Sequence, residues 1–220
     1  MPQRGKSVHC SDMDRTVGTE EFKGKRARTR ERIANAGVLL FQQQGFDATT
    51  MEQIAVAADV VRGTLYNHFP VKEAIVVHWL HGQLSHALGP LMQDAMRRRS
   101  FRTRVTTLLD ASAAWWEHHR EFAAPYVRHR FQEIRENQGN EPTSEMIPAY
   151  ETLILAAQES GELSSRIPAI RLASYLHFLS LYALLDWLGD PRRPLPKRFA
   201  ESLEFFLEGA LARNSEVKSR

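Results

Sequence analysis

Cysteine is almost absent from this sequence of 220 residues, which contains only Cys10. A single cysteine excludes an intramolecular disulfide and a cysteine-rich zinc module, and it suits a reducing compartment. No apolar segment follows the first basic residues, so we expect no signal peptide. The most apolar stretch, residues 172–188, contains His177, Ser180 and Asp186, and it is short for a membrane span. We therefore expect a cytoplasmic protein with no membrane-spanning segment.

Sequence signatures of enzymes and metal sites are also missing. The chain has no Gly-x-Ser-x-Gly, no dinucleotide-binding glycine fingerprint and no His-Glu-x-x-His. Nine histidines are present, but none has an acidic residue or cysteine at an obvious ligand spacing. We expect no catalytic residues, no cofactor and no bound metal.

The small net charge of +3 is unevenly distributed. Residues 1–72 contain 11 Lys and Arg against 8 Asp and Glu, whereas the remaining residues contain 18 of each. A localised basic region is typical of proteins that bind phosphates. A solvated charged tail has the same composition, so charge alone leaves both interpretations open.

Apolar residues recur with helical spacing along most of the chain, and no segment has the alternation of a strand. The pattern predicts an all-α protein with helices at about 25–44, 51–58, 62–69, 71–92, 101–120, 125–137, 144–160, 167–188 and 196–212. Gly45 is expected to end the first helix, with Phe46 packed against its last turn. Thr50 and Gln53 have the spacing of a capping box.

Residues 51–69 have the features of a helix-turn-helix. Two short helices flank a tight turn, and small residues such as Ala55, Ala58 and Gly63 permit close packing. The second helix also carries guanidinium, hydroxyl, amide and imidazole groups, which can contact phosphates and base edges in the major groove.

Residues 46–55, FDATTMEQIA, and 63–75, GTLYNHFPVKEAI, resemble the DNA-binding motif of the TetR family of transcriptional regulators. The resemblance covers about residues 25–80, and the second string is highly specific. Length and helical character suit the family over the rest of the chain. Lys23, Lys25, Arg26 and Arg28 precede the motif and are expected near phosphates or the minor groove.

The resemblance implies a role for each residue of the motif. Four side chains are expected to contact phosphates: Thr50, Tyr66, His68 and Lys72. Three are expected to contact bases: Arg62, Thr64 and Asn67. Gly63 is expected to allow close approach to DNA, while Leu65 and Phe69 are expected to face the core.

The sequence departs from the family pattern at three positions. Asp59 stands where the family usually has glycine, and we expect it to adopt the left-handed conformation that aspartate tolerates. Val61 and Val71 stand where the family often has helix-capping residues. Because a lost cap costs about 1 kcal/mol, we expect a less rigid headpiece in the free protein.

The predicted organisation has four parts. Residues 1–22 are expected to form a flexible tail, 23–70 the three-helix DNA-binding domain, 71–213 a larger helical effector-binding and dimerisation domain, and 214–220 a C-terminal tail. The last two helices are apolar on two sides, as expected of helices buried on two sides. The resemblance implies that they form a homodimer, which would bind a palindromic double-stranded DNA operator.

The larger domain is expected to bind a small-molecule effector that is apolar or aromatic. Four aromatic residues are candidates for the ligand pocket: Trp116, Phe131, Tyr150 and Phe178. Ordinary packing in the core is the alternative interpretation for each of them. The predicted function is a ligand-responsive transcriptional regulator, expected to be a repressor released from its operator by the effector. An all-helical enzyme and an interaction protein that has lost DNA binding are the alternatives.

Overall fold

The computed structural model describes residues 12–136, 144, 146–190 and 192–210. Within these ranges every regular element is a helix, which confirms the predicted all-α class. None of the helices described is long and apolar enough to cross a membrane. Their bounds are α1 Asp12–Gln44, α2 Met51–Ala57, α3 Arg62–His68, α4 Lys72–Met96, α5 Phe101–His118, α6 Arg120–Glu136, α7 Met146–Glu159, α8 Ala169–Gly189 and α9 Leu195–Ala210.

The chain divides into two compact units, Met1–Ile75 and Val76–Arg220, which we call the head and the body. The division falls five residues after the predicted boundary at residue 70 because Ile75 belongs to the core of the head. Ile75 is fully buried, and a Cβ atom placed on Gly37 would lie 3.0 Å from its Cγ2 atom. Gly37 therefore permits a close approach between α1 and the first turn of α4.

The start of α1 differs from the prediction. A flexible tail was expected over residues 1–22, but α1 begins at Asp12. No proline interrupts residues 12–44, so the polar N-terminal half of α1 can continue the helix without an apolar face of its own. Residues 1–11 and the predicted C-terminal tail, 214–220, lie outside the described residues.

The corner between α1 and α2 follows the prediction. Gly45 has a φ of 90°, and its N–H donates to the carbonyl of Phe41 over 2.9 Å. Phe46 then packs against Phe41 with 4.9 Å between ring centroids. A positive φ is strained for residues with a side chain, so the glycine fixes where α1 ends.

Two helices of the body continue through prolines. α6 begins at Arg120, five residues before the predicted start at Pro125, and α4 runs past Pro90 to Met96. An interior proline removes one backbone donor and costs the helix stability, but here neither proline ends its helix. Phe122, close to the start of α6, is fully buried.

The core of the body forms around α8, which packs against α6, α7 and α9. Leu172, Leu176, Leu181 and Leu184 of α8 are buried. Burial on several sides explains why this helix is the most apolar stretch of the chain.

Candidate DNA-binding head and ligand cavity

The start of α2 is closed by the predicted capping box. The N–H of Gln53 donates to Thr50 Oγ1 over 3.2 Å, and the N–H of Thr50 donates to Gln53 Oε1 over 2.9 Å. Both contacts leave the hydroxyl hydrogen of Thr50 unused, and the residue is exposed. Thr50 can therefore cap α2 and still donate to a phosphate.

The turn between α2 and α3 has the geometry expected from its unusual residues. Asp59 has a φ of 49°, within the left-handed region. Val61 occupies the N-cap position of α3 without a side-chain hydrogen bond, and it is 73% exposed. Both expectations from the sequence are confirmed: aspartate replaces glycine in the turn, and α3 begins without a capping side chain.

α3 separates its core residues from its polar ones. Leu65 and Phe69, at the end of the helix, are fully buried. Six predicted DNA contacts lie on the other side or at its edges: Arg62, Gly63, Tyr66 and Asn67 are exposed, and Thr64 and His68 are half-buried. This arrangement gives a short helix a continuous polar surface that can enter a groove.

Arg30 of α1, which was not predicted as a site residue, supports the end of α3. Its Nη1 atom donates to the carbonyl of His68 over 3.3 Å, and its guanidinium lies 4.5 Å from the centroid of the Phe69 ring. A cation is favourable at the C-terminal end of a helix. Its spacing from Ile33 and Gly37 places Arg30 on the inner face of α1, and this spacing is the sequence signal that was overlooked.

Lys72, which the resemblance assigns to a phosphate, contacts backbone carbonyls of the head in this structure. Its Nζ atom donates to the carbonyls of Phe46, over 2.8 Å, and Thr49, over 2.7 Å, with Asp47 at 3.4 Å. It also lies 4.6 Å from the centroid of the Phe46 ring. An ammonium group has three hydrogens to donate, so these carbonyls can use them all. In this structure Lys72 holds the α1–α2 corner to the start of α4.

Arg62 is weakly held in the free head. Its Nη2 atom lies 3.3 Å from Glu52 Oε1, and both side chains are more than half exposed. The guanidinium also lies 5.4 Å from the centroid of the Tyr66 ring. Exposed ion pairs of this kind stabilise little, so Arg62 can leave Glu52 to meet a base.

A polar cleft of about 400 Å³ lies within the head, lined by Arg26, Thr64, Asn67 and His68. Burial lowers the pKa of His68, with further lowering by the charges of Arg26 and Arg30. His68 is therefore neutral near pH 7 and offers a hydrogen bond rather than a charge. The cleft therefore brings together Thr64 and Asn67 of α3, both predicted to contact bases, and the basic residue Arg26 of α1.

The body contains a cavity of about 270 Å³ whose walls come from α4 to α9. Trp116 and Tyr150, two of the four predicted ligand residues, line it. The other two do not, because Phe131 and Phe178 pack edge to face at a partly exposed position, with 5.5 Å between ring centroids. The residues of α8 that line the cavity are His177, Ser180, Leu181 and Leu184. Because these residues recur at spacings of three and four, Phe178 lies on a different side of the helix.

The cavity also contains polar residues that were not predicted. Tyr150 and Ser180 hydroxyls lie 3.4 Å apart, and burial raises the pKa of Tyr150 to about 12. His177 also lines the cavity, and burial lowers its pKa to about 3. A histidine inside the most apolar stretch of the chain was the signal available in the sequence. Among the described residues, no group of three or more His, Cys, Asp or Glu is placed to hold a metal ion.

α8 and α9 also carry an apolar exposed surface. Its members are about half exposed or more: Tyr175, Phe178, Tyr182, Leu185 and Phe205. The four residues of α8 recur at spacings of three and four, so they form one stripe along the helix. An apolar cleft of about 580 Å³ opens beside Tyr175, Phe178 and Phe205. An exposed apolar patch of this kind marks an interaction surface.

Comparison with known proteins agrees with this architecture. The sequence profile described as "Bacterial regulatory proteins, tetR family" matches residues 33–78. The transcriptional repressor DhaR of Mycobacterium sp. (strain GP1) is 23% identical over 193 residues, which are 83% of this chain and 90% of DhaR. The repressor KstR2 of Rhodococcus jostii (strain RHA1) is 37% identical over 70 residues, which are 32% of this chain and 34% of KstR2.

Solved structures extend the likeness to the whole fold. The repressor FadR of Thermus thermophilus, solved with lauroyl-CoA, has a TM-score of 0.67 and 24% identity. The match covers 87% of this chain and all of that one.

The fold and the head define a helix-turn-helix transcriptional regulator. Residues 33–78 match the tetR family of bacterial regulatory proteins, and the chain as a whole shares the fold of a TetR-family repressor. The predicted class, a DNA-binding transcriptional regulator, is confirmed.

Proposed function

We propose that this chain is a repressor that binds a palindromic operator as a homodimer and is released by a small apolar or aromatic effector. The observation that supports DNA binding most directly is the polar surface of α3, which is held from behind by Leu65 and Phe69. The effector site is assigned to the cavity of the body. The relatives named as repressors support the direction of regulation.

On DNA, Arg62, Thr64 and Asn67 are assigned to base edges, and Thr50, Tyr66 and His68 to the backbone. Selection of bound duplexes from random DNA, followed by mobility-shift titration, tests this assignment. Arg62→Ala is expected to cost about 1–3 kcal/mol at one base position if the arginine contacts guanine. Equal weakening on all sequences would instead make Arg62 a phosphate contact.

The homodimer is assigned to α8 and α9. A regulator of this type needs two heads to span two half-sites, and the stripe from Tyr175 to Leu185 is an apolar surface suited to a second copy. Tyr182→Glu is expected to give a monomer in sedimentation velocity, because a buried carboxylate without a partner opposes association. Met96→Glu, at an exposed apolar residue outside α8 and α9, is the matched control. A dimeric Tyr182→Glu variant would contradict the assignment.

Release by an effector is assigned to a shift between two states. α4 carries residues of the head at Lys72 and Ile75 and residues of the cavity at Leu80, Gln83 and Leu84. A ligand that favours one position of α4 changes the population of heads that match the operator, provided that it binds the two states unequally. Filling the cavity by Ala111→Trp is expected to abolish release while leaving operator binding intact. Release that persists in this variant would move the effector site elsewhere.

The other two functions considered from the sequence give different results. An interaction protein that has lost DNA binding would select no duplex from the random pool. An all-helical enzyme would turn over a substrate and show no operator binding.

A further inference from the structure

The described lining of the cavity contains no charged side chain at neutral pH. Most of the wall is aliphatic or aromatic, and its polar members are Gln83, Ser112, Tyr150, His177 and Ser180. Burial keeps the Tyr150 phenol protonated and the His177 imidazole neutral. A charged ligand would lose its hydration here without meeting an opposite charge, which is costly in an apolar site.

His177 has a hydrogen-bonding atom that the described part of the chain leaves unused. The residue is 7% exposed, and its buried Nε2 atom has no hydrogen-bond partner among the described residues. Buried polar atoms are almost always paired, since leaving one unpaired destabilises the folded state. His177 lines both this cavity and the neighbouring apolar cleft, and we take the cavity as the side from which a ligand supplies the missing partner.

Tyr150 provides a second polar contact close to the same turn of α8. The hydroxyl of Ser180 donates to the carbonyl of Leu176 over 2.9 Å, so the contact of 3.4 Å between Tyr150 and Ser180 has Tyr150 as its donor. This distance is long for a bond between hydroxyls. The phenol can therefore turn to a better acceptor on a ligand. Ser180 lies three residues after His177, on the same side of α8.

The cation beside His177 is not among the residues that line the cavity. Arg130 is fully buried and lowers the pKa of His177. Its Nη1 atom donates to Glu133 Oε2 over 2.6 Å, so Glu133 offsets part of its charge within α6. Arg130 lines the apolar cleft beside α9 and is not part of the cavity lining.

The shape of the cavity favours a flat and small molecule. Its volume of about 270 Å³ is at the lower end for ligand sites. Trp116 packs perpendicular to Trp115, with 4.9 Å between ring centroids, and it contacts Tyr126 at 5.0 Å. Aromatic walls of this kind pack well against a ring.

We propose that the effector is an uncharged molecule with a flat apolar body and a hydrogen-bonding group that meets His177 and Tyr150. This inference rests on the proposed function, which makes the cavity the effector site. It separates this chain from a regulator whose cavity recognises an anionic ligand.

Three probes of similar size test the inference on the full chain without DNA: 2-naphthol, which is uncharged at pH 7, 2-methylnaphthalene, which lacks the polar group, and 2-naphthoate, which is an anion. Equilibrium dialysis measures each Kd. We expect 2-naphthol to bind about 3- to 10-fold more tightly than 2-methylnaphthalene, the effect of a net hydrogen bond. We expect it to bind at least about 10-fold more tightly than 2-naphthoate, because the anion is desolvated without compensation.

Single substitutions test which side chains cause the preference for 2-naphthol over 2-methylnaphthalene. His177→Leu is expected to remove most of the preference for 2-naphthol over 2-methylnaphthalene, and His177→Gln, which keeps a polar group, to restore part of it. Tyr150→Phe keeps the buried ring and is expected to reduce the preference as well. His86→Leu, at an exposed histidine of α4, is the matched control and is expected to leave it unchanged.

Four results would overturn the inference: 2-naphthoate binding as tightly as 2-naphthol, a preference unchanged in both His177→Leu and Tyr150→Phe, a preference lost equally in His86→Leu, or no binding of any probe. Release of operator DNA is measured separately. If 2-naphthol binds with the expected preference but no bound probe releases the operator, the cavity is not the effector site. The cavity would then still bind uncharged, flat molecules. If an anionic ligand releases the operator through the cavity, the ligand class alone is wrong.

Discussion

The head and the body hold their functional residues in opposite ways. In the head, charged and polar side chains bind backbone carbonyls and helix ends: Thr50 caps α2, Arg30 contacts the end of α3, and Lys72 holds the α1–α2 corner. In the body, an apolar cavity encloses a few neutral polar atoms, and one of them has no partner among the described residues. A surface that reads DNA needs a rigid backbone, whereas a sensing site needs polar atoms that a ligand can satisfy.

The largest expected effect comes from comparing a buried and an exposed residue at the end of α3, one needed for stability and the other for DNA binding. Phe69→Ala removes a fully buried ring and is expected to destabilise the protein by about 3–5 kcal/mol. Tyr66→Ala, three residues earlier and 37% exposed, is expected to change stability by less than about 0.5 kcal/mol and to weaken operator binding. Chemical denaturation and mobility-shift titration measure the two quantities. Equal destabilisation by both substitutions would remove the distinction between the two sides of α3.

Lys72 tests whether the rigidity of the head depends on its polar contacts. Lys72→Met leaves the carbonyls of Phe46 and Thr49 without their donor, and hydrogen bonds to a charged group contribute about 1.5–3 kcal/mol. We expect a loss of stability in that range and an unchanged salt dependence of DNA binding. A phosphate contact by Lys72 would give another result: normal stability and a salt slope reduced by about one unit per subunit.

His177 tests the neutral interior of the body. Its folded-state pKa of about 3 lies below the unfolded value near 6.5, so the unfolded chain binds more protons in this interval. The contribution of His177 is therefore complete above pH 6.5 and is lost as the pH falls toward 3. Between pH 7.5 and pH 5 the loss is about 2 kcal/mol.

Thermal unfolding of wild type and His177→Leu at pH 7.5 and pH 5 measures this loss of stability. His177→Leu is expected to lose less stability on acidification than wild type, and His86→Leu is expected to behave like wild type. An identical pH dependence in wild type and His177→Leu would show that the imidazole is not held neutral.

The smallest expected effect concerns the pair between Glu52 and Arg62. Because both side chains are exposed, Glu52→Gln is expected to change stability by less than about 0.5 kcal/mol. Operator affinity is expected to rise slightly, since Arg62 is released from a competing carboxylate. A loss of affinity in the mobility-shift titration would show that Glu52 positions Arg62 for DNA.

The same contrast explains what the sequence made predictable. Gly45, the capping box of Thr50 and the left-handed Asp59 depend on neighbouring residues, and the sequence pattern predicted each of them. The separation of Leu65 and Phe69 from the polar side of α3 was implied by the family resemblance.

Features that depend on packing between distant residues were not predictable in the same way. Periodicity showed that α8 is buried on two sides, but it did not show which side faces a cavity. Phe178 was therefore assigned to the ligand site in place of His177. The resemblance assigned Lys72 to a phosphate, and its contacts with three carbonyls more than twenty residues earlier in the chain could not be predicted from local spacing.

Footprinting of the DNA next to the gene for this chain, with wild type and Tyr66→Ala at equal concentration, tests the central claim most directly. Wild type is expected to protect a site with two-fold symmetry, and Tyr66→Ala is expected to lose that protection while remaining folded. Absence of any protected site, or equal protection by the folded Tyr66→Ala variant, would contradict the assignment of α3 to DNA recognition.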